Sequence, residues 1–369
     1  MKSKEIKNDI SLIASNQSLE SFAESVSSLW CPSSVAILDH LPSPLEFHAR
    51  FVAKSLPCIL RLNNDEMLPR WNADDIQNIC GRELTLTVNV TPDGHGDTIR
   101  SVQTTQDGKI EDMFVLPEER KMKLNDFIKG LRNDDGRRGC ATDDSTHLAI
   151  LKLQEDITEK EVDDDEDTKS HGVYYYSLQN DCLRSELSPL VPHMNHSFER
   201  LVSWGEAVFG TGPPDAINLW MGPSSAVSSL HKDHYENLFY VASGEKVFHI
   251  YPPADAPFLP VRTFPTCRLQ QQEKDDWIVV QEKENLPTPW IHHNINDDDD
   301  NLSPYRHRIT VRVKEGNVLY LPSLWFHRVT QSCETVAINW WFDMQFDSPL
   351  FCYFELLQNC QIQQQGKKV

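Results

Sequence analysis

Four side chains able to bind a metal or move a proton crowd into "SSLHKDHYENLFYVASGEK", residues 228–246: His231, Asp233, His234 and Glu236. Side chains alternate across an extended chain, so His231 and Asp233 point one way while Lys232 points the other. An H-x-D pair of this kind offers two ligands to one side, close enough for a single ion to bridge. His234 and Glu236 form an equally valid H-x-E pair facing the opposite side. Two-residue spacing alone does not choose between them.

Downstream context narrows the choice. "VKEGNVLYLPSLWFHRV" (313–329) reads as a strand, a proline-marked turn and a late histidine, His327. Two histidines and one carboxylate leave three positions of an octahedral ion open, which suits non-haem Fe(II) with a co-substrate and O₂. A structural zinc site would want a fourth protein ligand, and none is evident near these residues. Lys246 follows the apolar run 238–242 and an "ASGE" turn, where an antiparallel return would bring it beside the first strand. A lysine pointing into a barrel is costly unless an anion meets it. A dicarboxylic acid would be such an anion.

The elements around these residues are mainly strands. From 173 to 345 short apolar runs dominate: "VYYYSL", "AINLWMG", "LFYVAS", "KVFHIYPP", "RITVRV", "NVLYLP" and "TVAINWWFD", separated by Gly, Pro, Asp and Asn. That pattern predicts a barrel or jelly roll rather than alternating βα units. Upstream, Leu12, Leu19, Phe22, Val26 and Leu29 recur at helical spacing and predict an amphipathic helix within 9–30 that docks on the main body. "LPCILRL" (56–62) reads as a buried strand and "WNADDIQNICG" (71–81) as a short helix stopped by Gly81. "ELTLTVNV" (83–90) alternates with Leu84, Leu86, Val88 and Val90 on one face, and Pro92-Asp93-Gly94 is turn chemistry. The tail "SPLFCYFELLQNCQIQQQ" returns to helical spacing through Leu350, Phe354 and Leu357. The organisation expected is an N-terminal helical and strand-bearing region (1–131), an acidic disordered surface insertion (132–171), a barrel (172–346) and a C-terminal helix (347–369).

Composition bounds the partners. The 369 residues carry 35 Lys+Arg against 55 Asp+Glu, a formal charge of −20. Such a surface repels phosphate backbones and argues against direct nucleic-acid binding, while a basic protein or peptide would be attracted. The nine cysteines (31, 58, 80, 140, 182, 267, 333, 352 and 360) form no C-x-x-C pair, which predicts free, buried thiols in a reducing compartment. No signal-peptide core or membrane-length apolar stretch is present, so a soluble protein of the cytosol or nucleus is expected, with no membrane association. No repeat of 20–50 residues is visible. "DDDED" lacks the glycine and closing glutamate of an EF-hand loop.

The H-x-D at 231–233, Lys246 after "SGE", "GNVLYLPSLWFH" and "AINWWFD" together resemble the jumonji-C family, and within it the lysyl hydroxylases. "VTPDGHGD" (90–97) and "LPEER" (116–120) extend the likeness into the N-terminal part, while the acidic insertion looks longer than the family pattern. The resemblance implies a mainly β fold with flanking helices, a double-stranded β-helix, and an Fe(II)- and 2-oxoglutarate-dependent dioxygenase consuming O₂. Carried over position by position, it implies His231, Asp233 and His327 as iron ligands. It sets Lys246 and Tyr175 on the distal carboxylate of 2-oxoglutarate, with Tyr174 and Tyr176 leaving the tyrosine register open by one. Ser228 stands where the family usually has threonine, keeping the hydroxyl and losing a methyl. Asn237 and Asn339 match asparagines near the co-substrate, and Trp341 an aromatic wall. The implied substrate is a lysine of a developmentally regulated GTP-binding protein, hydroxylated at the (3S) position, and relatives often pair as homodimers through C-terminal helices, which leaves the oligomeric state open. Three rivals stand beside this reading: a histone lysine or arginine demethylase, a histone-tail peptidase, and a non-enzymatic interaction protein. His234 and His249 are expected to face away from the metal, and "HH" at 292–293 beside "DDDD" at 297–300 to be a solvated loop.

Overall fold

Eight strands between Ala216 and Asp343 pass back and forth between two facing sheets. They are β1 (Ala216–Gly222), β2 (Ser228–Lys232), β3 (Tyr235–Ser243), β4 (Glu245–Tyr251), β5 (Ile309–Lys314), β6 (Asn317–Leu321), β7 (Phe326–Gln331) and β8 (Thr335–Asp343). One sheet runs β6-β3-β8-β1 and is extended past β6 by Cys58–Arg61 and Ala36–Leu38, making six strands; the other runs β2-β7-β4-β5. This is the double-stranded β-helix expected from the sequence. The computed structural model describes residues 17–62, 67–104, 108–135, 151–154, 172–259, 261–273, 276–282, 286–292 and 306–360.

Strands β1, β3, β6 and β8 of the six-stranded sheet are buried on both faces, which is why they read as continuous apolar runs rather than alternating ones. Along β3, Phe239 and Val241 point between the sheets with Leu319, Ala337 and Trp341. Leu238, Tyr240 and Ala242 point outward, under helix α5 (His196–Phe209) and the N-terminal region. There Trp340 meets Phe198 at 5.0 Å and Phe209 meets Phe342 at 4.9 Å. Each such buried ring contributes about 1.5–3 kcal/mol by leaving water.

Crossing from one sheet to the other demands tight turns. Gly244, between β3 and β4, has φ +83, and a Cβ there would lie 2.5 Å from the Glu334 carbonyl oxygen. The crossing corrects one sequence expectation. Lys246 does not return beside β3 in a hairpin; β4 lies in the opposite sheet, with Lys246 paired to Gln331 of β7 and Val313 of β5.

The N-terminal region braces the sandwich. Helix α1, at 17–29 among the described residues, buries Ala23 and Val26 and half-buries Phe22, but Leu29 is 85% exposed and lies off the docking face. The chain turns at Trp30, whose indole donates to the Lys54 carbonyl, so Leu29 falls outside the apolar stripe. Leu12 lies outside the described residues. His307 ties α1 to the barrel: Nε2 reaches the Ala23 carbonyl at 3.1 Å, while Nδ1 meets the fully buried Asp255 at 2.7 Å. The helix Ala73–Cys80 has a capping box from Asn72 and Asp75 and ends at Gly81, as its sequence anticipated. Thr85–Thr91 pairs antiparallel with Glu118–Lys123 on one side and with Val173–Tyr175 on the other, burying Leu86, Val88 and Val90.

A second, smaller barrel was not anticipated. Five strands close on themselves: Thr98–Gln103, Ile110–Leu116, Leu151–Gln154, Asp276–Gln281 and Thr266–Glu273. They come from the N-terminal region, the acidic stretch and the middle of the large barrel's chain. Leu151–Gln154 corrects the expectation of disorder throughout 132–171, since it pairs in parallel with Asp276–Gln281 and with Thr98–Gln103. The helix Leu124–Asp135 likewise runs past residue 132. The remainder of that stretch, and residues 293–300, lie outside the described residues.

The C-terminal helix α6 (Pro349–Asn359) buries Phe354 against Phe326 while Tyr353, Leu356 and Leu350 are exposed. Among the described cysteines all are free, but Cys333, Cys352 and Cys360 are exposed rather than buried, because they sit in a loop and on the outer face and end of α6. No described helix is long and apolar enough to cross a membrane.

Candidate metal and co-substrate site

His231 and His327 stand directly opposite each other in the β2–β7 ladder. Register alone therefore brings two histidines together, with ring centroids 4.2 Å apart. Each ring is oriented by its own backbone: Nδ1 of His231 bonds the Ser229 carbonyl at 2.7 Å and Nδ1 of His327 the Trp325 carbonyl at 3.0 Å. Those bonds fix the tautomer and leave both Nε2 atoms free as ligands. Burial, with His231 alongside, pushes His327 down to about 4, so it is neutral and ready to coordinate at ordinary pH.

Asp233 completes the set by a route that alternation did not foresee. β2 ends at Lys232, and Asp233 and His234 form the turn that carries the chain into β3 in the other sheet. The turn is pinned by Leu324, which has φ +66 and donates its N–H to the Asp233 carbonyl at 2.9 Å. The carboxylate then lies 3.6 Å from His327 Nε2 and 4.0 Å from His231 Nε2. All three donor atoms fall within 4.8 Å of one another, and no other described group of His, Cys, Asp and Glu comes together in this way. Three donors of mixed nitrogen and oxygen type, with no fourth protein ligand among the described residues, fit an ion that keeps open positions.

The rival H-x-E pair is taken up by structure. Glu236 accepts from the Tyr320 hydroxyl at 2.6 Å and the Ser323 hydroxyl at 2.8 Å, and burial pushes its carboxyl up. His234 sits 3.2 Å from Lys232 Nζ, under Phe346 and Phe351 beside α6. His249 meets the Thr310 hydroxyl at 3.2 Å, and His292 meets Asp112 at 3.2 Å. None of these joins the triad.

The opposite end of the cavity is arranged around Lys246, which is 2% exposed. Among the described residues its ammonium meets no carboxylate; its hydrogen bond goes to the Tyr175 phenol at 3.1 Å. Burial pushes the lysine down to about 7 and the tyrosine up, while the Ser228 hydroxyl bonds the same phenol. A cation so desolvated is a seat for an anion. Of the three adjacent tyrosines, Tyr175 lies beside Lys246, Tyr174 packs over Gly130, and Tyr176 bonds Glu186. Tyr175 is held by its ladder partner Asn89 and by Gly222, where a Cβ would come within 2.5 Å of the ring.

Between the two ends, Trp220 donates to Asn339 at 2.8 Å and Asn339 to Asn237 at 3.2 Å. Trp341 stacks on Tyr235 at 4.9 Å and 7°, and its buried indole N–H has no partner among the described residues. The cavity they enclose is about 230 Å³. All nine residues expected at the site line it or, for Lys246, close its end through Tyr175. Sequence reasoning missed Asp97, Asn89 and Trp290, which line it too. Trp290 lies parallel to the His231 ring at 6.0 Å and 9°. Its position beside two histidines drew attention to metal binding rather than to the tryptophan itself.

Residues 44–348 match the family described as a cupin-like domain. The human bifunctional peptidase and (3S)-lysyl hydroxylase JMJD7 is 33% identical over 356 residues, 95% of this chain and 97% of its own. The chain belongs to the cupin-like JmjC family. Other JmjC relatives agree along nearly the whole length. JmjC domain-containing protein E of Dictyostelium discoideum is 31% identical over 355 residues, 89% of this chain and 90% of its own. Lysine-specific demethylase JMJ32 of Arabidopsis thaliana is 28% identical over 338 residues, 87% and 85% of the two chains. JmjC membership makes this an oxygenase-type fold, and its His–Asp–His cluster offers three donors that could hold a metal ion.

Proposed function

We propose that the chain is an Fe(II)- and 2-oxoglutarate-dependent oxygenase that hydroxylates a lysine side chain of a protein. One observation carries the reading: three metal donors and a buried lysine with no ion-pair partner among the described residues bound the same cavity. His231 and His327 would ligate through Nε2 and Asp233 through a carboxylate oxygen. Bound there, Fe(II) with 2-oxoglutarate and O₂ supplies the oxidation of an unactivated C–H bond, the co-substrate leaving as succinate and CO₂. Lys246 and Tyr175 would bind the distal carboxylate, with Ser228 orienting the phenol. Asn237 and Asn339 offer amides along the co-substrate, and Trp341 walls it from water.

Lysine as the target draws support from the relatives' names, since both JMJD7 and JMJ32 are named for lysine chemistry. The acidic surface favours a cationic protein partner. A developmentally regulated GTP-binding protein, met in the cytosol or nucleus and hydroxylated at the (3S) carbon, is the specific target proposed. Exposed Tyr353 and Leu356 on α6 support pairing of two copies through the C-terminal helix.

The test is incubation with Fe(II), 2-oxoglutarate and lysine peptides drawn from such GTPases, following succinate and peptide mass. A gain of one oxygen on lysine is the expected result. Formaldehyde with loss of a methyl group would replace hydroxylation by demethylation, and cleavage without 2-oxoglutarate would replace it by peptidase action. No turnover across the panel would favour an interaction protein.

A further inference from the structure

The cavity has a cation-seeking wall as well as an anion-seeking end. Residues 94–97 run alongside β2: Gly96 donates to the Val227 carbonyl at 3.0 Å, Val227 donates to the Gly94 carbonyl at 2.8 Å, and the Ser229 hydroxyl donates to the Asp97 carbonyl. Ser229 also orients His231, so the loop holds Asp97 beside the metal-facing edge of β2. Asp97 is among the residues that line the cavity. No hydrogen bond or ion pair reaches its carboxylate among the described residues.

The nearby cations are already committed. Arg268 lies between Glu282 at 2.6 Å and Glu119 at 3.0 Å, and Arg100 is bidentate on Asp93. His231 spends Nδ1 on a carbonyl and turns Nε2 to Asp233. A desolvated carboxylate without a donor is costly, and it persists where an incoming cation meets it. Trp290, parallel to His231, adds an apolar wall suited to a methylene stem.

We propose that Asp97 receives the ammonium group of the substrate lysine and so selects lysine over neutral side chains of similar length. The inference rests on the lysyl hydroxylase reading above and names the group that enforces it. Asp97 and Lys246 then divide the cavity's ligands by charge: the substrate's cation on one wall, the co-substrate's anion at the far end.

The test uses the full chain loaded with redox-inert Zn(II) and 2-oxoglutarate. Binding of fluorescent peptides is read by anisotropy, for sets identical except for a central lysine, acetyl-lysine or norleucine. Lysine is expected to bind roughly tenfold or more tightly than either neutral analogue, as a charge-assisted hydrogen bond should provide. Asp97→Asn should erase that preference, Asp97→Glu should keep part of it, and added salt should weaken it only where the carboxylate is present. A preference that survives Asp97→Asn overturns the inference. Equal binding of lysine and norleucine by the unaltered chain overturns it as well, and needs no variant to fold. If the lysine preference depends on Asp97 but no lysine peptide gains oxygen with Fe(II), the ammonium site stands and the hydroxylase reading falls.

Discussion

The two barrels of this chain treat buried charge in opposite ways. In the five-stranded barrel the buried Arg100 is matched within the protein, its two guanidinium nitrogens 2.8 and 2.9 Å from the carboxylate oxygens of Asp93. The barrel also buries Val102, Met113, Val115, Cys267, Leu269 and Val279, with Cys267 and Met113 in sulfur–sulfur contact at 3.5 Å. Small closed barrels fill themselves with side chains in this way. The eight-stranded sandwich instead encloses a cavity of about 230 Å³ and, among the described residues, leaves Lys246 without an acid and Asp97 without a base. An internally matched charge belongs to the fold, whereas an unmatched charge on a cavity wall is held for a ligand.

Removing one member of each class should break that comparison most sharply. Asp233→Ala should lower metal content and 2-oxoglutarate turnover by more than about a hundredfold, beyond what losing a group behind the ligands costs. Glu236→Ala should keep the metal and instead lower stability by about 2 kcal/mol, since the Tyr320 and Ser323 hydroxyls lose a buried acceptor. Metal analysis and denaturant melts read the two effects separately. Loss of metal in Glu236→Ala, but not in Asp233→Ala, would mean the other pair binds.

Lys246→Met should raise the KM for 2-oxoglutarate by roughly a hundredfold while leaving stability unchanged or improved, because no charged partner is orphaned and the Tyr175 phenol keeps its bond to Ser228. Arg100→Met should do the reverse, costing about 3 kcal/mol of stability by stranding Asp93 and changing KM little. Paired melts and co-substrate titrations would show whether the contrast holds.

The pH dependence follows from Lys246. Its ammonium is held down to about 7 by burial, so in the empty site it is charged below that pH and neutral above it. Binding a dicarboxylate restores the charge and takes up a proton. The affinity for 2-oxoglutarate should therefore fall by up to about tenfold per pH unit above 7. A flat profile from pH 7 to 9, read by calorimetry in buffers of different ionisation enthalpy, would count against the role.

A smaller effect is expected from Gly222→Ala. The added methyl would press on the Tyr175 ring at 2.5 Å and shift the phenol from Lys246, raising the 2-oxoglutarate KM a few-fold with metal content intact. A matching drop in metal content would place the strain on the triad instead.

Much of the large barrel was legible because its strands are continuous apolar runs bounded by Gly and Pro, and because His231, Asp233, His327 and Lys246 fall at spacings that family resemblance recognises. What escaped was three-dimensional. "HKDHYEN" read as one strand with two faces, but the chain leaves one sheet at Lys232 and joins the other at Tyr235, so Asp233 acts from a turn. Asn237 still faces the cavity and Glu236 still faces away, because alternation begins afresh on β3. The small barrel was invisible because its strands are charged on one side and drawn from three distant segments, including "LKLQ" within an acidic stretch. Local pattern reports a strand's faces; it does not report which distant strand closes the sheet. Asp97 escaped for a related reason, since only the loop's pairing with Val227 carries it to the cavity.

The most direct measurement of the central claim is 2-oxoglutarate binding to the Zn(II)-loaded chain, compared with Asp233→Ala and Lys246→Met. Saturable binding by the unaltered chain and its loss in both variants is expected, since the ligand must be held at both ends of one cavity. Equal binding in all three would contradict the account.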